Sequence, residues 1–263
     1  MIDKKICVSI FLIVGLLLST IIWAQSSKDN KVDAALFSEQ PEKLSKGIVV
    51  LELFTSQGCS SCPPADELLQ EVKMTYPDNV FVLSYHVDYW NYIGWEDPFS
   101  KKEFTERQSS YNKKFGYNGN YTPELVVNGK EHLVGSHKAK VVNAIKKYSA
   151  TTSESQILIK NFKRQEDKIY FDYNIIGNTS AKTVRAVLLL KERNTQVNRG
   201  ENRQKTLVNT NIVIAEKTID INDDNPFGSL AVPSIAKEGE ELVLMLIVEN
   251  ARGDILGAVK KDF

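Results

Sequence analysis

From Ile48 onward the apolar positions fall into two regimes, one that alternates strand-like with helix-like spacing and one that is strand-like throughout. Ile48, Val49, Val50, Leu51, Leu53 and Phe54 form a short apolar run of the kind seen in strands covered on both faces, and Thr55-Ser56-Gln57-Gly58 ends it. Prolines and acids then precede Leu68 and Leu69, which predicts a helix from Pro63 or Pro64 to Met74 or Thr75, stopped by Tyr76-Pro77-Asp78-Asn79. Val80–Tyr85 reads as a second buried strand. Strand, helix and strand at this spacing predict a right-handed βαβ unit, with the carboxyl ends of both strands on one sheet edge. Phe104, Tyr111 and Phe115 recur at helical intervals along Lys101–Lys114, as on an amphipathic surface helix. Asn128-Gly129 signals a hairpin between Leu125–Val127 and Glu131–Val134. A closing helix from Ser136 or His137 to Tyr148 would bury Val141, Val142, Ala144 and Ile145.

Beyond Ser149 the pattern consists of short strand-like runs: Gln156–Phe162, Lys168–Ile176, Thr183–Leu190, Asn211–Ile219 and Leu242–Glu249. Runs of this length separated by polar turns predict an antiparallel β-sandwich, immunoglobulin-like in class though without its cysteines. Lys191 to Lys205 reads as a long polar loop, either solvated or carrying Arg199, Glu201 and Asn202 against the first domain or a partner.

Ahead of these regimes, Lys4 and Lys5 precede an apolar run over residues 6–23, and the polar segment from Ser26 to Gly47 follows. This is the pattern of an export signal, cleaved after Ala24 or kept as a membrane anchor, and then a flexible linker. The protein is expected to be exported, periplasmic or secreted, with membrane contact only through an uncleaved anchor. The chain is long enough, at 263 residues, for the expected organisation of signal or anchor at 1–24, linker at 25–46, and domains at 47–150 and 151–263. Thirty-three basic and 33 acidic residues balance, so there is no electrostatic case for nucleic acid or an anionic membrane surface as a partner.

The candidate chemistry sits where the first strand meets the first helix. Cys59 and Cys62 form a Cys-x-x-Cys pair at that junction and would be the only cysteines left after signal cleavage. Unpaired amides and the positive dipole end of a helix stabilise a thiolate, which is the nucleophile of disulfide exchange. Cys59 would attack and Cys62 would resolve. Two other readings stay open at this point. One is a structural disulfide, although so small a loop gives a chain-entropy gain of only about 2 kcal/mol. The other is a metal site, for which no second cysteine pair exists to complete a zinc tetrahedron, while Cys59, Cys62 and His86 together would suit copper(I). The chain lacks a Gly-rich nucleotide fingerprint, so no nicotinamide or flavin is implied, and no cofactor is expected.

The carboxyl edge of the sheet would bring further residues to the pair. His86 beside Cys59 would lower its pKa, and Asp88 would raise it or relay protons. Trp90 and Trp95 either cover the end of the core or line a substrate groove. Glu52, an acid within an apolar strand, is either solvent-facing or a buried general base for Cys62. Pro123, after Thr122, is expected to be cis, so that its loop approaches the disulfide and meets a substrate chain. His132 and His137 look structural or exposed.

The order of elements resembles the thioredoxin superfamily, and FTSQGCSSCPPAD, HVDYWNYIGWEDPF, YTPELVVNG and the Arg199-Gly200-Glu201-Asn202 element are similar to the exported family catalogued as domain of unknown function 1223. The resemblance spans Ile48 to the C-terminus. It implies an α/β thioredoxin-like domain, a central mixed sheet flanked by helices, followed by the all-β antiparallel sandwich. It also implies a nucleophile at Cys59, a resolving thiol at Cys62 and a substrate-facing cis-proline at Pro123. Glu52 is displaced by one residue from the buried acid of thioredoxins. The function expected is an exported thiol-disulfide oxidoreductase acting on protein or small-thiol substrates with an unknown redox partner. The competing expectation is a non-catalytic binding or assembly module with a structural disulfide.

Overall fold

The computed structural model of the protein describes residues 47–221 and 226–263. The signal or anchor and most of the linker expected over residues 1–46 lie outside the described residues. Strand β1 (Val49–Thr55) leads through the cysteine turn into helix α1 (Pro63–Thr75) and back along β2 (Val80–His86). A 3-10 turn (Asn91–Ile93), helix α2 (Lys102–Phe115), the hairpin of β3 (Glu124–Val127) and β4 (Glu131–Val134), and helix α3 (Lys138–Ser149) follow. The remainder is strand: β5 (Gln156–Gln165), β6 (Lys168–Ile176), β7 (Lys182–Gln196), β8 (Thr206–Asp220), β9 (Phe227–Ala231), β10 (Leu242–Asn250) and β11 (Ile255–Asp262).

These strands do not divide into a helix-flanked sheet and a separate sandwich. Eight of them form one mixed sheet in the order β11-β10-β7-β8-β2-β1-β3-β4, and β5, β6 and β9 form a second sheet. The expected thioredoxin-like fold is thereby overturned, because β8 from the second half pairs in parallel with β2 from the first. The physical reason lies in the strands themselves. Val184, Ala186, Leu188 and Leu190 on β7 face the three-stranded sheet, whereas Val187 and Leu189 join Val50, Phe54, Leu83, Tyr85 and Phe104 on the opposite face. Strands apolar on both sides need cover on both sides. The polar stretch after Leu190 is also strand rather than loop. β7 and β8 pair as far as Gln196↔Thr206, with alternate side chains exposed, so their polar continuation carries no apolar signal.

A buried ionic cluster ties the halves together. Arg185, on β7, lies 3.0 Å from Glu52 on β1 and 2.8 Å from Glu249 on β10. Arg107 on α2 also reaches both carboxylates, each at 3.1 Å, and the Tyr111 hydroxyl donates to Glu52 at 2.6 Å. Burial pushes the Glu52 carboxyl up, but the two guanidiniums and the Tyr111 hydroxyl outweigh it and hold Glu52 below its ordinary value. Removing one partner of such a cluster leaves an uncompensated buried charge. Arg185→Ala is therefore expected to destabilise the protein by about 3–5 kcal/mol in urea unfolding, and a loss below about 1 kcal/mol would show that the cluster does not couple the halves.

Candidate functional site

The cysteine turn is built by local winding from β1 into α1. The Cys59 amide donates to the Ser56 carbonyl at 3.1 Å, the Cys62 amide to the Cys59 carbonyl at 3.3 Å, and the Ala65 amide to the Cys62 carbonyl at 2.8 Å. Prolines at the first two helical positions suit this start, since they lack only donors that a helix leaves unpaired anyway. The winding brings the cysteine Cα atoms to 5.5 Å and the two side chains are joined as a disulfide. Both cysteines are wholly buried, while Ser60 and Ser61 between them are exposed.

Around the sulfurs the Thr122-Pro123 peptide bond is cis and Pro123 is buried. The Thr122 hydroxyl donates to Cys59 Sγ at 3.2 Å and accepts from the Trp90 indole N–H at 2.7 Å. Ser61 Oγ lies 3.3 Å from the same sulfur. Gly58 lets Trp90 and Ile93 lie against the turn, since a Cβ there would stand 3.2 Å from Trp90 Cβ. The residues expected here are thus brought together only in part. Trp95 lies one layer behind, donating from its indole to Gln57 Oε1 at 3.2 Å. Asp88 accepts from the Thr105 hydroxyl on α2 at 2.6 Å and is tied to that helix. Glu52 is bound to α2 and β7, whereas Thr55 on the same strand bonds Asp66 in α1. Alternation along β1 therefore sends Glu52 to the face opposite the cysteine helix. No group of three His, Cys, Asp or Glu side chains placed to hold a metal occurs among the described residues, where Cys59 and Cys62 are joined to each other.

Several residues were not anticipated. Gln57 is a hub: its main-chain N–H donates to Asp97 at 2.8 Å and its side-chain amide to Asn209 Oδ1 at 3.0 Å. Unlike Gln57, Asn202 and Glu201 are named by one of the two readings of the Lys191–Lys205 segment, and in the turn between β7 and β8 they contact the cysteine turn directly. The buried acid is Asp66, whose amide donates to the Cys62 carbonyl one helical turn away. Its signal was its place four residues after Cys62, where helical spacing returns a side chain to the same face.

The family described as protein of unknown function (DUF1223) matches residues 50–248 of the chain. A crystal structure of a protein from Agrobacterium tumefaciens is 32% identical, covers 82% of this chain and 95% of its own, and superposes with a TM-score of 0.60. A β-glucosidase from Kluyveromyces marxianus is 12% identical over 42% of this chain and 14% of its own, at a TM-score of 0.20, too slight a likeness to carry any conclusion. No curated protein matches the chain.

At the carboxyl ends of β1 and β2, His86 and Asp66 are part of a buried polar layer. His86 Nδ1 lies 2.7 Å from Asp97 Oδ2, and its ring packs edge-on to Phe99. Burial pushes the His86 imidazole down, but the Asp97 carboxylate and its hydrogen bond, with Asp66 beyond, outweigh this and raise it above its ordinary value. Burial acts on Asp66 in the other sense, pushing its carboxyl up to about 7 despite the nearby His86 and the Thr55 hydroxyl. A carboxyl raised on folding binds its proton more tightly in the native state, so its contribution to stability is complete below about pH 4 and is lost as pH rises through about 7. Asp66→Asn, which cannot ionise, is expected to match the wild type in melting temperature at pH 4 and to exceed it increasingly toward pH 8. A constant offset across that range would rule out a proton held on Asp66.

Proposed function

We propose that this chain, which belongs to the DUF1223 family, is a thiol-disulfide oxidoreductase acting on protein or small-thiol substrates, with Cys59 as the nucleophile and Cys62 as the resolving thiol. The observation that carries it is the asymmetry around the sulfurs. The Thr122 hydroxyl donates to Cys59 Sγ and Ser61 Oγ lies against it, so two hydroxyls converge on one sulfur of the pair, at the entry to α1. A neutral disulfide sulfur gains little from such partners. A thiolate gains a charge-assisted hydrogen bond and the positive end of the helix dipole.

In the oxidising direction a substrate thiolate attacks Cys59 Sγ, the Cys59–Cys62 bond breaks, and its electron pair leaves on Cys62, which takes up a proton. A second substrate thiolate then attacks the sulfur of the mixed disulfide that belongs to the substrate. The product is a substrate disulfide, and the Cys59 thiolate departs with the second proton to come. Two electrons have passed to the pair, one of the two protons lost by the substrate thiols is on Cys62 and the other stays in solvent until Cys59 takes it, and the reverse sequence reduces a substrate disulfide. Thr122 would hold the Cys59 thiolate, and Trp90 holds Thr122 in place through its indole N–H. The loop of Thr122 and Pro123 thus meets the sulfur that a substrate must approach. An exported location, periplasmic or secreted or tethered through residues 6–23, belongs to the same proposal and rests on the N-terminal apolar run.

The complete burial of both cysteines favours a second reading, a binding or assembly module in which the disulfide fixes the turn. Equilibration with glutathione separates the two. The oxidoreductase should have a reduction potential between about −120 and −270 mV, and Cys62→Ala should accumulate mixed disulfides through Cys59. A potential below about −300 mV with no trapped species would leave only the binding module. Thr122→Val, which deletes the donor but keeps the shape, should raise the midpoint of Cys59 thiolate formation by about one pH unit, read from thiolate absorbance of the reduced protein.

A further inference from the structure

The turn joining β7 to β8 takes no part in the exchange steps above, yet it is fastened to the cysteine turn. Asn202 is wholly buried there, its amide donating to the Gln57 carbonyl at 3.0 Å and the Cys59 carbonyl at 2.8 Å. Its own side-chain carbonyl accepts from Lys205 Nζ at 3.0 Å, so the amide group is engaged through both its nitrogen and its oxygen. Gly200 adopts a left-handed φ of +72° where a Cβ would stand 3.2 Å from Trp95, which brings the turn close to the aromatic segment. With Asn202 held in this way, the exposed Glu201 sets its carboxylate on the Ser60 amide at 3.0 Å, the N–H that follows Cys59. The Ser60 hydroxyl, together with that amide, holds the Glu201 carboxyl below its ordinary value, so it is ionised at neutral pH.

We propose that Glu201 sets the redox poise of the pair, by fixing a negative charge beside Cys59 and occupying the Ser60 amide that a Cys59 thiolate would otherwise recruit. The inference rests on the oxidoreductase reading and deepens it. Reduction converts the disulfide and two glutathione thiols into two cysteine thiols and one molecule of glutathione disulfide, after which Cys59 releases its proton to solvent. The disulfide is neutral and indifferent to the Glu201 charge. The thiolate is repelled by it and deprived of a donor. Glu201 therefore favours the oxidised form and draws the potential downward. The Lys205 ammonium, turned onto the Asn202 carbonyl, offsets part of this field and is unchanged when Glu201 is substituted.

The test is a glutathione redox series on the full chain, paired with a pH titration of thiolate absorbance. Glu201→Gln keeps an oxygen for the Ser60 amide and removes only the charge. It should shift the equilibrium toward the reduced pair by about threefold, or about 14 mV for a two-electron couple. Glu201→Ala also frees the amide and should shift it about tenfold, or about 30 mV, with the thiolate midpoint falling in the same order. In 1 M salt the Glu201→Gln shift should shrink, because the carboxylate is exposed and screened there. Unchanged potentials in both variants, while the wild type exchanges normally, would overturn the role of Glu201 and leave the oxidoreductase standing. The role is equally overturned if the variants alter only the melting temperature of the oxidised protein. No exchange in the wild type would remove the oxidoreductase reading and the poise inference with it.

Discussion

The parallel contact between β2 and β8 is the constraint on which the remaining architecture depends. A strand such as β2, buried on both faces, cannot leave an edge of unpaired amides and carbonyls inside the protein. The backbone register there is a single pair, Ser84↔Ile212, so side chains complete the seam. Ser84 Oγ donates to the Thr210 carbonyl at 2.8 Å, and the amide of Asn211, left-handed at a φ of 48°, donates to the Val82 carbonyl at 2.9 Å. Lys73 of α1 adds a hydrogen bond to the Thr210 hydroxyl at 2.7 Å. Polar residues within apolar strands thus substitute for ladder bonds, and the long hairpin that β8 closes is carried across to the cysteine turn.

Strand β1 separates two kinds of buried acid. Glu52 faces α2 and is compensated by two guanidiniums and a phenol, which makes it a charged structural member. Asp66, on the cysteine helix itself, has a hydroxyl and a more distant imidazole for company and holds its proton to about neutral pH. Environment, not residue type, decides which carboxylate stays charged. Neutral residues do most of the work of shaping the turn itself: Gln57, Asn202 and Asn209 satisfy backbone and side-chain groups that would otherwise be stranded, without adding charge next to the sulfur.

Much of the first half was legible in sequence because its signals are local. The apolar run before Cys59, the prolines after Cys62 and Asn128-Gly129 each act within a few residues, and β1, α1 and the β3–β4 hairpin form where those signals lie. What escaped depends on pairing between distant segments. Nothing in Asn211–Ile219 states that its partner is Ser84, and strand-like periodicity serves a separate sandwich and an extended sheet equally well. The polar continuation of β7 and β8 carries little hydrophobic alternation because positions it buries, Asn209 and Thr210, make hydrogen bonds to Gln57 and Ser84. Glu52 was drawn toward the cysteines by proximity in sequence, while the pleat of β1 sent it the other way and left Asp66 on the side of α1.

The cover over the disulfide comes from far along the chain: Asn202 bonds a carbonyl 145 residues before it. Synthesis delivers the cysteines first. They are three residues apart and can meet as soon as the local turn winds, whereas the Asn202 contact waits for the β7–β8 hairpin to be made and docked. Oxidation of the pair is therefore free to precede its burial. Sulfurs that stand open on the emerging chain are wholly buried in the finished protein, with a turn made much later fastened to the carbonyls of Gln57 and Cys59.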